Sequence, residues 1–380
     1  MEFRDLKTQY KTYKKEIDEA IQKVIDGTSF ISGSEVNELE AELAEYVGVK
    51  HCITCANGTD ALTLAMMALD IGEGDAVFVP DFTFFSSGEI VAFEGATPIF
   101  VDIDERTFNI SADSLVLAID KIMEEGVLTP KAIIPVDLFG QPADYDKLIP
   151  IAKKYGLKII EDGAQGFGGQ IRDKKACSFG DISTTSFFPA KPLGCYGDGG
   201  AIFTDNDEWA ELIKSYRVHG KGTDKYDNVR IGMNSRLDTI QAAILRVKLK
   251  AFVDSELNAI NYIADIYSKE LGNVVSIPLV KEGYLSSWAQ YSILVNNSEQ
   301  RDELQKYLRE QGIPSMIYYK KPMHKQEAFD KLECTRTSLC VTEDTCKRVL
   351  SIPIHPYLLC EEQHNIINAI KNYTIGEIKK

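Results

Sequence analysis

From about residue 52 to residue 204, short runs of β-branched and aromatic residues recur at intervals filled by helical patterns. The runs fall at 52–55, 76–79, 97–101, 132–136, 158–160, 184–188 and 201–204. Such a rhythm is the βα alternation of parallel strands covered on both faces by helices. It predicts an α/β fold with a mostly parallel central sheet flanked by helices and its ligands beyond the carboxyl ends of the strands. Ahead of the sheet, residues 7–26 and 34–47 read as helices, the second capped by Ser34 and ended by Gly48. From about residue 236 a long amphipathic helix runs to roughly residue 270. Strands such as 290–295 then alternate with helices such as 298–311. A chain of 380 residues has room for two domains. The division expected is a larger domain over 1–249, including the N-terminal helices, and a smaller C-terminal α/β domain over 250–380.

Charge narrows the partners. A formal net charge of −15 argues against nucleic acid and anionic membrane surfaces, because polyanion binding needs clustered Lys and Arg to neutralise phosphates. An anionic substrate must then be met by a local cluster of donors. No apolar run approaches the roughly 18 residues that a membrane helix needs, and Met1 to Leu6 carries no signal-peptide pattern, so a cytoplasmic location is expected. Eight cysteines, at 52, 55, 177, 195, 334, 340, 346 and 360, are too few for a disulfide scaffold and lack the spacing and His companions of a metal site. Cys52 and Cys55 sit in an apolar strand-like run and read as core thiols.

Three segments carry chemistry. Asn57-Gly58-Thr59 follows a strand and opens a helix, where free amides bind a phosphate or the three residues simply make a cap. Glu161-Asp162 ends an apolar strand. A carboxylate there pairs with a protonated heterocyclic nitrogen or caps the next helix. Lys191 lies in Pro189-Ala190-Lys191-Pro192, within an apolar turn that runs on to Gly197-Asp198-Gly199-Gly200. Burial would make its amine a nucleophile, and a surface turn lysine is the alternative.

Taken in order, six motifs resemble the DegT/DnrJ/EryC1/StrS family of pyridoxal-phosphate-dependent nucleotide-sugar aminotransferases over nearly the whole chain. They are Asn57-Gly58-Thr59, Pro80 to Phe84, Val101 to Asp104, Glu161 to Gln165, Ser186 to Lys191 with Gly197 to Gly200, and Asn234 to Asp238. The resemblance implies the fold-type-I (aspartate aminotransferase-like) architecture and a homodimer with its active sites at the interface. It implies that Lys191 holds the pyridoxal 5'-phosphate covalently and then shuttles the proton, and that Asp162 keeps the pyridine nitrogen protonated. Gln165 is implied near the ring hydroxyl and Phe84 on the ring face. Gly58, Thr59 and Ser186 are implied at the phosphate, with Asn234 reaching the partner's cofactor. L-glutamate would load the cofactor as pyridoxamine phosphate, which then aminates a keto-sugar nucleotide.

The motif wording is most similar to enzymes that aminate UDP-2-acetamido-2-deoxy-3-oxo-glucuronate for surface polysaccharide (lipopolysaccharide O-antigen) biosynthesis. A uronate carboxylate and a diphosphate both want cationic donors, for which Arg236, Arg230 and His324 are candidates. Tyr319 is a further candidate for substrate contact. His324 and His355 read equally as structural imidazoles, and Trp288 and Tyr319 as core. One departure is Gly163, where the family more often has Ala; it is expected to loosen the turn after Asp162. Competing expectations are an aminotransferase for a 3-keto or 4-keto 6-deoxy sugar nucleotide, and a non-catalytic cofactor-binding regulator.

Overall fold

The computed structural model describes residues 1–224 and 226–378. Its strands are β1 His51–Cys55, β2 Asp75–Pro80, β3 Thr97–Val101, β4 Thr129–Ile133, β5 Lys158–Asp162, β6 Gln170–Ile171, β7 Lys174–Lys175, β8 Ile182–Ser186, β9 Gly200–Thr204, β10 Tyr284–Leu285, β11 Tyr291–Leu294 and β12 Val349–Ile352. Seven of them form the central sheet, in the order β1-β9-β8-β5-β4-β2-β3. The pairs β2/β3, β2/β4, β4/β5 and β5/β8 are parallel. Only β9 runs against its neighbours, β1 and β8. Its direction follows from the connection before it. A parallel return needs a crossover, usually helical, whereas 187–199 folds back on itself, with Phe187 N–H donating to Gly199 O (2.7 Å) and Cys195 N–H to Phe187 O (2.8 Å). That hairpin connection carries Lys191.

The apolar sequence runs become strands, with two shifted boundaries. The run expected at 132–136 pairs over Thr129–Ile133, and that at 184–188 over Ile182–Ser186. The helix expected over 7–26 breaks at Tyr13, between Leu6–Thr12 and Lys14–Gly27. The long helix starts at Thr239 and is interrupted by a π-helical turn, Phe252–Glu256, before continuing as Leu257–Leu271. Phe252 (3% exposed) and Glu256 (4%), four positions apart and so on one side of the helix, both face inward. Phe252 packs on Phe167, with ring centroids 5.9 Å apart.

Helices on both faces bury the sheet in clusters that include Ile53, Val77, Val79, Ile160 and Ile202 on one side and Phe78, Ile99, Val101, Ile133 and Ile159 on the other. A separate cluster gathers Ile260, Tyr267, Tyr291, Ile293, Leu304, Leu350 and Ile370 around the antiparallel β11/β12 pair. Trp288 belongs to that cluster, stacked on Tyr291 at 5.2 Å with its indole N–H on Asn261 Oδ1 (3.0 Å). The C-terminal segment also returns to the central sheet: Phe100 N–H donates to Cys334 O (2.8 Å), and Val341 and Thr342 N–H donate to Asp102 (2.9 and 2.8 Å). Cys52 and Cys55 are buried, and every described cysteine is a free thiol.

Candidate active site

The carboxyl ends of β1, β2, β5 and β8 and the start of β9 meet along one edge of the sheet, because β9 alone is reversed. The helix Gly58–Ala68 opens directly after β1. Asn57 caps it by accepting Asp60 N–H (2.8 Å), which leaves the first-turn amides of Gly58 and Thr59 without intrahelical partners. Gly58 lies against Ser186 at the end of β8; a Cβ there would stand 2.7 Å from Ser186 Cβ. Two residues 128 positions apart therefore share one corner. Gly200 presses on the same turn, where an added Cβ would lie 2.5 Å from Asn57 O.

Asp162 ends β5 and is 4% exposed. Its Oδ2 accepts Ser87 Oγ–H (2.7 Å) and its Oδ1 the Ala164 N–H (3.2 Å). Burial pushes the carboxyl above the ordinary aspartate range, against the pull of these two donors and the Lys191 charge. Ser87 is itself oriented by Thr83 Oγ1 at 3.1 Å. The amine of Lys191 is held below the usual lysine range by loss of solvation, which Asp162 opposes and Arg4 reinforces. A depressed lysine and a buried carboxylate that feel each other's charge are the acid-base pairing this chemistry requires.

Gln165, 4% exposed, accepts Phe139 N–H at Oε1 (2.8 Å) and donates from Nε2 to the Tyr319 hydroxyl (3.0 Å). The structure thus brings Tyr319 to the Gln165 side chain, where it packs edge-on against Phe82 at 5.8 Å. Phe84 is 53% exposed, an aromatic face left open beside the helix Ser86–Phe93. Asn234 is exposed and Arg236 half-buried, with Arg236 Nη2 donating to Asn234 Oδ1 (2.6 Å).

His324 is tied elsewhere. Its Nδ1 lies 2.7 Å from Asp81 Oδ2 and its Nε2 3.2 Å from Glu343 Oε1, and the Asp81 hydrogen bond raises its pKa. Arg230 donates to Ser215 Oγ (2.8 Å) and lies over the Tyr216 ring. His355 is buried, and desolvation pushes its imidazole below the usual histidine range. Gly163 does not loosen its turn as expected: its N–H donates to Thr184 O (2.9 Å) and its carbonyl accepts Gly166 N–H and Thr185 Oγ1–H (both 3.0 Å). A Cβ at this position would lie 2.6 Å from Cys177 Sγ, so the missing methyl makes room for the thiol. Sequence reasoning missed Ser87 and Arg4. Ser87 is the second residue of the helix Ser86–Phe93, its contact with Asp162 spans 75 positions, and no local pattern signals that pairing.

These groups fit a pyridine-ring phosphate cofactor: free helix-start amides beside a serine for the phosphate, a buried carboxylate for the ring nitrogen, and a desolvated lysine for the aldehyde. With the fold they define a pyridoxal-phosphate-dependent aminotransferase. The chain belongs to the DegT/DnrJ/EryC1/StrS aminotransferase family, whose profile matches residues 11–371. It is 44% identical over 361 residues, 94% of this chain and 96% of the relative, to a UDP-2-acetamido-2-deoxy-3-oxo-D-glucuronate aminotransferase of Pseudomonas aeruginosa. The solved structure of a DegT/DnrJ/EryC1/StrS aminotransferase from Brucella abortus superposes with a TM-score of 0.96 at 48% identity, covering 98% of this chain and 99% of that one. NtdA from Bacillus subtilis, solved with bound pyridoxamine phosphate, superposes with a TM-score of 0.87 at 29% identity, covering 98% of this chain and 83% of that one.

Proposed function

We propose that this aminotransferase moves the amino group of L-glutamate to a keto-sugar nucleotide, with UDP-2-acetamido-2-deoxy-3-oxo-glucuronate as the acceptor. The similarity to the Pseudomonas aeruginosa enzyme, at 44% identity over nearly the full length of both chains, carries the choice of sugar. Pyridoxal phosphate, when bound, supplies the electron sink that lets a proton leave the carbon bearing nitrogen. In this reading Lys191 first holds the cofactor and afterwards carries that proton, its amine held below the usual lysine range by desolvation. Asp162, steered by Ser87, holds the proton on the ring nitrogen. Gly58, Thr59 and Ser186 bind the phosphate, Gln165 orients the ring hydroxyl and Phe84 covers the ring.

The active form in this proposal is a homodimer. Ile231 (90% exposed) and Phe188 (53%) leave apolar surface open near the Lys191 turn and the 218–234 loop, which supports a covering subunit. Asn234 would then reach the partner's cofactor phosphate, and Arg236 beside it would meet the uronate carboxylate. A nucleotide-sugar acceptor supports a cytoplasmic location. Among the described residues no helix is long and apolar enough to cross a membrane. The test is to mix the protein and glutamate with the 3-oxo-glucuronate nucleotide or a 4-keto-6-deoxy sugar nucleotide and follow 2-oxoglutarate and the mass of the amino sugar. Amination of the uronate at a rate well above that of the deoxy sugar is expected. The reverse preference would reject the assigned acceptor while leaving the aminotransferase class intact.

A further inference from the structure

Arg4 belongs to a group of charges shielded against the backbone of the Lys191 turn. Arg4, in the N-terminal segment, donates from Nη2 to the Lys191 carbonyl (3.0 Å). Its Nη1 is shielded from water and has no hydrogen-bond partner among the described residues. Three residues further along the same turn, the Gly194 carbonyl accepts from the buried Lys248 Nζ. Glu256, in the π-helical turn and 4% exposed, attracts both cations. It accepts Gln9 Nε2–H (3.0 Å) and the Tyr357 hydroxyl. Two separate elements, the N-terminal segment and the long helix, thus donate to the backbone of the lysine turn.

We propose that Arg4, backed by Glu256 and Lys248, is a positioning residue for Lys191: it clamps the carbonyl of the lysine turn and holds a positive charge against that turn. The proposal rests on the role given to Lys191 above. The charged groups acting on Lys191 are Asp162 and Arg4. Those facing Arg4 are Glu256, Lys248, Tyr357 and His355. Two opposite charges thus bear on the amine: Asp162 favours the ammonium and Arg4 the neutral nucleophile. Arg4 is held there at a cost, since burial brings the guanidinium itself down to about 10 and Lys248 down to about 8. Placing two cations and one anion in a dry pocket is expensive unless they hold something in place, and what they hold is the turn that carries Lys191.

The test is the pH dependence of Lys191 modification by trinitrobenzenesulfonate in the cofactor-free full chain, read by peptide mass spectrometry, for wild type, Arg4→Gln and Arg4→Lys. Arg4→Gln is expected to move the profile to higher pH, the effect of removing a neighbouring positive charge. Arg4→Lys should keep it close to wild type, which a merely structural role would not predict. Should Arg4→Gln fold poorly, the charge-balanced pair Arg4→Gln with Glu256→Gln is expected to show the same upward shift. A folded Arg4→Gln or paired variant with an unmoved profile would overturn the inference. A wild-type protein that stays colourless with added pyridoxal phosphate would instead reject the role of Lys191 itself.

Discussion

Ser87→Ala isolates the element of the site that the sequence did not reveal. It deletes the 2.7 Å donor to Asp162 Oδ2 and leaves only the longer Ala164 N–H bond at 3.2 Å. A hydrogen bond to a charged group in a buried site contributes about 1.5–3 kcal/mol. At about 1.4 kcal/mol per pKa unit, its loss should raise the Asp162 pKa by about one to two units beyond the elevation that burial already imposes. The sign for stability follows. A carboxyl raised in the folded state keeps its proton over a window where the unfolded chain has lost it, so stability falls as pH climbs through that window. In the variant the window extends to higher pH. For function, Asp162 must be ionised to hold the ring-nitrogen proton. The acid limb of pyridoxal phosphate affinity and of kcat/KM should therefore move up by the same one to two units, with little change at alkaline pH. Absorbance titrations of cofactor into wild type and variant across pH, with melting curves alongside, measure both effects. An acid limb that stays in place in a folded variant would refute the claim that Ser87 sets the charge of Asp162.

Three further outcomes are expected. Lys191→Ala should lose both the yellow colour and the adduct trapped by borohydride, and survival of the adduct would move the cofactor-holding role to another lysine. Gly58→Ala forces a Cβ to within 2.7 Å of Ser186. Overpacking of this kind costs about 1–3 kcal/mol, so both the melting temperature and the affinity for pyridoxal phosphate should fall, as read by thermal melts and cofactor titration. Gly163→Ala should destabilise by a similar amount because its methyl meets Cys177 Sγ at 2.6 Å. Adding Cys177→Ala should recover part of the loss in a double-mutant cycle.

The chain alone determined the fold class and the main chemistry. Alternating apolar runs and helical patterns specify a parallel α/β sheet because the period of each element is local, and ligand residues at strand ends are legible for the same reason: Asp162 ends a strand, Gly58 opens a helix and Lys191 sits between prolines. Tertiary structure decided the rest. The reversal of β9 turned the Lys191 segment into a hairpin connection, a consequence of how 187–199 folds on itself. The helix widens over Phe252–Glu256, where the Phe252 ring packs against Phe167 and Gly168, a break that helical periodicity does not signal. His324, chosen for its type, has both ring nitrogens engaged by Asp81 and Glu343. Gly163, which the family pattern marked as a loosened turn, is a space filled by Cys177. The contacts Ser87–Asp162, Gln165–Tyr319 and Arg4–Lys191 span 75, 154 and 187 positions. Pairings at such separations leave no periodic trace, because they are chosen by the three-dimensional packing that buries both partners and not by the neighbours of either in the chain.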